Sequence, residues 1–133
     1  MKYMALLNKE KHGFGVSFPD FPDCTTFGAD EEEAVDMAHE ALAMFVELQL
    51  ESGMDLPEPM SKQDVLDLPG TGDKKIFGVE VSDDGTDFEA VELTLHRYLL
   101  ERIEQYADKY GVAPADFLAV AAREAMRKDV FKE

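Results

Sequence analysis

The sequence predicts an α+β protein in two parts: a β-β-β-α-β unit, then one strand and two helices that need a second copy to complete them. Three observations carry that prediction. Short segments of period-2 alternation with short links open the chain, a helix with legible ends follows, and the charge changes abruptly near residue 90. Residues 1–89 hold 6 Lys and Arg against 21 Asp and Glu, hence −15; residues 90–133 hold 7 against 8, hence −1.

The first strand is expected over Lys2–Leu7, with Tyr3, Ala5 and Leu7 on one face and Met4 and Leu6 on the other. A polar turn at Lys9–Gly13 leads into Phe14-Gly15-Val16-Ser17-Phe18, where large apolar residues alternate with small ones. Pro19-Asp20-Phe21-Pro22-Asp23 reads as turn chemistry, and Cys24–Gly28 as a short third strand. Links this short make the three strands antiparallel neighbours.

Asp30 followed by Glu33 is a capping-box arrangement, and the run Asp30-Glu31-Glu32-Glu33 suits the positive end of a helix dipole. Ala34, Ala38, Ala41, Leu42, Phe45 and Leu48 form the expected buried stripe, with Glu40 and Glu47 pointing away. These alanines and the nearby Ala43 let the helix approach a sheet closely. Gly53 closes the helix and Leu56-Pro57-Glu58-Pro59 cannot continue it. A last front strand is expected at Lys75–Val81.

The domain boundaries read from this pattern are 1–82, a linker at 83–89, and 90–133. In the back part Val91-Glu92-Leu93-Thr94-Leu95 alternates as one isolated strand. A helix from Arg97 to Tyr110 carries Leu99, Leu100, Ile103, Ala107 and Tyr110 on one stripe, and Gly111 ends it. Pro114 starts another helix, with Phe117, Leu118, Ala121, Ala122 and Ala125 at helical spacing. A lone strand with two helices closes no core and leaves its edges unsatisfied. Antiparallel pairing of two copies through Val91, Leu93 and Leu95 solves both problems, so a homodimer is expected.

Composition excludes several classes. A chain of 133 residues with 45% hydrophobic positions buries enough surface to offset ordering entropy. Cys24 has no second cysteine to pair with, no apolar run approaches the roughly 18 residues of a membrane span, and Met1–Glu10 is too weakly apolar for a secretion signal. A cytoplasmic location is the expectation. The polyanionic front repels nucleic-acid phosphates. It is either a solubilising surface or a patch that steers a basic partner.

No catalytic, metal or cofactor constellation stands out. Cys24 reads as a small buried hydrophobe, and His12, His39 and His96 fall in a turn, on a helix and at a strand end. No Cys/His spacing suits a metal, and Gly13-Phe14-Gly15 lacks the strand–loop–helix setting of a phosphate loop.

Tyr3 to Pro59 resembles the HicB antitoxin family. The likeness runs through Phe18-Pro19-Asp20-Phe21-Pro22-Asp23-Cys24 and Thr26-Phe27-Gly28-Ala29-Asp30, then Glu33-Ala34, Ala38-His39-Glu40-Ala41-Leu42, Gly53 and Leu56-Pro57-Glu58-Pro59. Residues 90–133 look like a ribbon-helix-helix module, the DNA-binding tail of one HicB subgroup. The resemblance implies a type II antitoxin with a partial RNase H-like front domain that occludes a small basic RNA-cleaving toxin of the HicA type. It also implies a dimeric tail that represses the operon, with a tetramer through the front domains as a larger assembly. The toxin contact is expected at Asp20, the loop residue Phe21, and Asp23.

An RNase H-like fold invites a nuclease reading. Two-metal hydrolysis needs carboxylates converging from adjacent strands, yet Lys2–Asn8 holds none; the expectation is a protein without enzymatic activity. For operator DNA, the outward strand residues would be Ala90, Glu92 and Thr94. Thr94 suits base contact, whereas Ala90 and Glu92 stand where the family usually has basic or amide residues. Ala113-Pro114-Ala115-Asp116 likewise places a carboxylate where a backbone phosphate would sit. The alternative reading is a ribbon-helix-helix repressor without a toxin partner.

Overall fold

In the computed structural model, which describes residues 1–133, the alternation beginning at Tyr3 becomes a nine-residue strand, β1 (Lys2–Glu10). It lies centrally in a four-stranded antiparallel sheet with β2 (Gly13–Phe18), β3 (Phe21–Gly28) and β4 (Lys75–Glu80), in the order β3-β2-β1-β4. Register puts Tyr3 opposite Val79, Ala5 opposite Phe77, and Leu7 opposite Val16, so one face is continuously apolar.

That face is covered by α1 (Glu31–Glu51), and together they bury Tyr3, Val16, Phe18, Phe21, Cys24, Leu42, Val46 and Val79. Asp30 caps the helix by accepting from the Glu33 N–H at 2.8 Å. The Glu33 carboxylate accepts from Ala29 N–H at 3.3 Å, so the acidic start is a local device as well as a dipole effect. At the other end Gly53 has φ +75°, Gly53 N–H donates to Leu50 O, and Met54 N–H to Gln49 O, which is a complete Schellman closure. Gly28 lets the helix start beside β3: a Cβ there would lie 2.3 Å from the Ala34 backbone nitrogen.

Several expectations are corrected. The turn between β2 and β3 is only Pro19-Asp20, because Phe18 pairs with Phe21. Ser17 pairs with Thr25, so Pro22, Asp23 and Cys24 form a bulge within β3 rather than part of a turn. The bulge puts Phe21 and Cys24, three residues apart, on the same buried face, a spacing that strict alternation forbids. On α1 the buried set is Ala34, Ala38, Leu42, Ala43 and Val46, and Leu48 stands exposed. A sixth element of the front, α2 (Lys62–Leu66), was not expected; Ser61 and Asp64 close a capping box at its start, and Val65 is buried.

The chain divides into two units, Met1–Glu89 and Ala90–Glu133. Residues 83–89, expected as a linker, fall within the first unit. The Asp87 carboxylate accepts from Ser82 N–H and hydroxyl, and Gly85 lies beside Leu50 and Glu47 of α1.

In the second unit α3 (Arg97–Lys109) is capped by His96, whose Nδ1 accepts from Tyr98 N–H at 3.1 Å. It ends in a second Schellman closure at Gly111, where Val112 N–H donates to Ala107 O. Pro114 starts α4 (Pro114–Lys128) as expected. Only Ile103 and Ala107 are buried in these 44 residues. The expected strand at Val91–Leu95 is not one in the single chain: no backbone hydrogen bond ties it to another segment. No helix is long and apolar enough to cross a membrane.

Candidate functional site

The three residues proposed from sequence as a contact occupy different layers. Phe21 is in the core, packed edge-on against Tyr3 (centroids 4.7 Å) and Phe45 of α1 (5.5 Å), so its ring reaches no partner. Asp20 is half-buried in the two-residue turn, and its Oδ2 accepts from Met60 N–H at 3.2 Å. Tyr3 hydroxyl donates to Pro57 O at 2.7 Å from beneath the same segment. Together they pin the chain leaving α1 to the β2–β3 turn. Burial raises the Asp20 carboxyl above its ordinary value and the Met60 N–H partly opposes this. Burial, then the charges of Asp20 and Glu58, raise the Tyr3 hydroxyl. Asp23 is the exposed member: the bulge carries it outward on β3, a free edge of the sheet.

Cys24 lies behind Asp23 with its thiol pushed up to about 11 by burial. At neutral pH the thiolate is then about one part in ten thousand, too little for a nucleophile. His39 is exposed and His96 is occupied as a cap. No group of three His, Cys, Asp or Glu residues converges where a metal ion could sit.

One surface was missed by the sequence reading. Leu48 (59% exposed) and Met44 (57%) stand on the solvent side of α1, with the half-buried Met37 at helical spacing and Ala41 turning inward against the core. Beside them runs a row of Glu33, Asp36, Glu40, Glu47 and Glu51. The signal was present, since 37, 41, 44 and 48 form their own apolar stripe, but residues 34, 38, 42 and 46 form another. Periodicity does not say which one meets the sheet.

The second unit exposes its apolar side chains on a larger scale. Val91 is 74% exposed, Leu93 62% and Leu95 37%, and Leu99 and Leu100 are exposed as well. Ala90, Glu92 and Thr94, the outward set proposed for DNA, are also exposed, so the segment has no buried side in one chain. A cleft of about 740 Å³ opens between α3 and α4, lined by Leu99, Ile103, Tyr106, Phe117, Leu118 and Ala121. The cleft lining and Val91, Leu93 and Leu95 are apolar surface that the second unit does not itself bury. At the start of α4, Ala113 supplies no side-chain cap and Asp116 lies in the first turn. A phosphate there would meet a carboxylate.

Comparison with known proteins agrees over most of the chain. Residues 3–122 match the family model described as HicB-like antitoxin of bacterial toxin-antitoxin systems. An uncharacterised 14.9 kDa protein from the rep-hol intergenic region of Haemophilus phage HP1 is 31% identical over 110 residues, covering 80% of this chain and 81% of that protein. Antitoxin HicB 1 of Photorhabdus laumondii is 40% identical over 72 residues, covering 52% of this chain and 46% of that antitoxin, less than half its length. Among solved structures, the antitoxin HicB of Burkholderia pseudomallei has a TM-score of 0.57 at 25% identity and covers 96% of this chain and 98% of that one. A chain of the HicA3–HicB3 toxin-antitoxin complex has a TM-score of 0.53 at 28% identity, over 62% of this chain and 99% of that one.

Proposed function

The chain belongs to the HicB-like antitoxins of bacterial toxin-antitoxin systems, and we propose that its front unit binds and occludes a small basic RNA-cleaving toxin of the HicA type. The observation that carries this reading is the charge of −15 on residues 1–89, beside a family whose relatives include a HicA–HicB complex. A protein that handles RNA presents basic surface, and an opposed acidic unit competes for it while steering encounter. The protein acts by occupying the toxin, not by catalysis. Asp23, on the exposed bulge of β3, is the sequence candidate best placed for the contact. Asp20 lies at its rim and Phe21 supports both from beneath.

The front sheet, with the order β3-β2-β1-β4 and a helix on one face, is read as a partial RNase H-like domain, a reading that the strand order supports. The back unit is read as a ribbon-helix-helix module, in which residues 90–95 of two copies pair antiparallel and Val91, Leu93 and Leu95 form the shared core. Operator binding by that dimer is a second reading, left open by a tail of net charge −1 against the front's −15. Ala90, Glu92 and Thr94 would then face the groove, and a retarded operator fragment at about 50 mM salt with a negative salt slope is its test.

The direct experiment on the antitoxin reading is affinity capture of the tagged protein from its source cells, with mass spectrometry of what co-purifies. A small basic toxin near stoichiometry supports it. Recovery of the protein alone, with operator DNA bound, would replace it by the repressor reading.

A further inference from the structure

The front sheet has two edges, and they are not alike. β4 is six residues long, and its end at Glu80 lies beside Asp87 and Phe88 of the loop that follows. β3 has β2 on one side and no strand on the other. Its first half is guarded by Pro22 and the bulge at 22–24, two devices that keep a foreign strand from pairing. The second half, Thr25-Thr26-Phe27-Gly28, has no proline, no bulge and no charge.

Register identifies the backbone groups that this half leaves unused. Glu10 and Gly13 flank the two-residue turn between β1 and β2, and Phe18 and Phe21 flank the one between β2 and β3, so each is a hydrogen-bonded pair. Alternation along β2 then gives Gly15 and Ser17 to β1, and Phe14 and Val16 to β3. Val16 faces Thr26 and Phe14 faces Gly28. Thr26 and Gly28 therefore spend their N–H and C=O groups on β2, while those of Thr25 and Phe27 point out from the edge. No backbone bond from outside the sheet reaches them. Their side chains are exposed on the sheet face away from α1, beside an open groove of about 360 Å³ whose walls include Asn8, Glu10, Ser17 and Lys74.

We propose that the edge Thr25–Gly28 is where an extended segment of the basic partner adds to the sheet as a fifth strand, held by the outward N–H and C=O groups of Thr25 and Phe27 and anchored on the Phe27 ring. This rests on the antitoxin reading for the partner's identity. In strand addition the backbone supplies affinity and alternate side chains supply selectivity. The occupant is a basic protein rather than a second copy, because edge-to-edge pairing of two front units brings −15 against −15. The same repulsion keeps copies apart, so this half of the edge can stay open without a blunting device. Asp23, exposed at the head of the segment, places a carboxylate where a cation of the partner would meet it.

The test is amide hydrogen exchange, read residue by residue, on the full chain with and without the small basic toxin recovered by affinity capture. In the free protein Thr26 and Gly28 should be protected while Thr25 and Phe27 exchange freely. On saturation with the toxin, exchange at Thr25 and Phe27 should slow at least a hundredfold. Thr25→Pro deletes one outward N–H and no bond of the sheet, a change that edge strands tolerate; circular dichroism should stay that of the parent while affinity falls at least thirtyfold. Thr25→Val keeps the N–H and should bind as the parent does. Toxin binding with no new protection at Thr25 and Phe27 would overturn the edge while leaving the antitoxin reading intact. Thr25→Pro at full affinity, or Thr25→Val as weak as the proline variant, would do the same. Protection of both amides in the free protein would also overturn the proposal, since a second copy would then occupy the edge. Capture of no basic protein by the parent chain would overturn both readings.

Discussion

Replacing Leu93 by aspartate should convert the protein from dimer to monomer at micromolar concentration. Leu93 is 62% exposed in the single chain, and full burial of a leucine stabilises by about 2.5 kcal/mol. Covering the exposed part is therefore worth about 1.5 kcal/mol per copy, or about 3 kcal/mol over two symmetry-related copies. The carboxylate adds more. An unpaired buried charge costs about 3–4 kcal/mol before it takes up a proton instead, and two of them would face one another across the symmetry axis. The total, about 10 kcal/mol, corresponds to a loss of about seven decades in the dimer constant. Sedimentation velocity across a dilution series reads this directly: the parent should run at twice 14.9 kDa and L93D at once. Circular dichroism should show weakened tail helices, because α3 and α4 bury only Ile103 and Ala107 by themselves. Glu92→Ala, on the opposite side of the proposed strand, should leave the mass unchanged. An L93D protein that keeps the parent mass on dilution to about 1 µM would refute the pairing, because no antiparallel ribbon through residues 91–95 accommodates two central carboxylates.

Other consequences are open to measurement. Gly28→Ala should cost about 2–3 kcal/mol, since the added methyl meets the Ala34 backbone nitrogen; thermal melts of the front transition should fall by about 10 °C or more, and an unchanged melt would mean α1 can lift off β3 freely. Cys24, held at about 11, should react with a disulfide reagent at pH 8 about a hundredfold more slowly than a free thiol, with full reactivity returning in denaturant. Asp20→Asn keeps the acceptor for Met60 N–H and removes a buried charge. The folded Asp20 carboxyl is raised, so its stabilising contribution exists below the unfolded value and is lost as pH rises through the folded one. The variant should therefore equal or exceed the parent in stability at pH 7, with the advantage vanishing on acidification below 3.8; a variant clearly less stable at pH 7 would show the ionised form to be the favoured one. Asp20→Lys/Asp23→Lys should weaken toxin binding at least tenfold in a titration calorimeter, and unchanged affinity removes the β2–β3 turn from the contact.

Much of the front unit is legible because its signals are local. Alternation at Tyr3, Ala5 and Leu7, the Asp30 cap and the Gly53 closure each depend on residues within a few positions of one another. What was misread depended on longer range. Phe21 looked like a loop residue because Pro19 and Pro22 flank it, yet pairing with Phe18 and the bulge at 22–24 return it to the core. Leu48 looked like core because it extends one helical row, whereas the sheet selects the row ending at Val46. The candidate contact changed with them: of Asp20, Phe21 and Asp23, only Asp23 is fully at the surface.

The sequence by itself determined the β-β-β-α-β order of the front apart from the short α2, the ends of α1 and α3, the start of α4, the charge division at residue 90, and the resemblance to the HicB-like antitoxins. These follow from backbone capping, side-chain period and net charge, which short stretches of chain specify. Only the tertiary structure decided which face of α1 is buried, that β3 carries a bulge and a free edge, and that residues 83–89 fold against the first unit. Each of those depends on which surfaces meet, and a helix with two apolar faces or a strand with no partner does not contain that answer in its own residues.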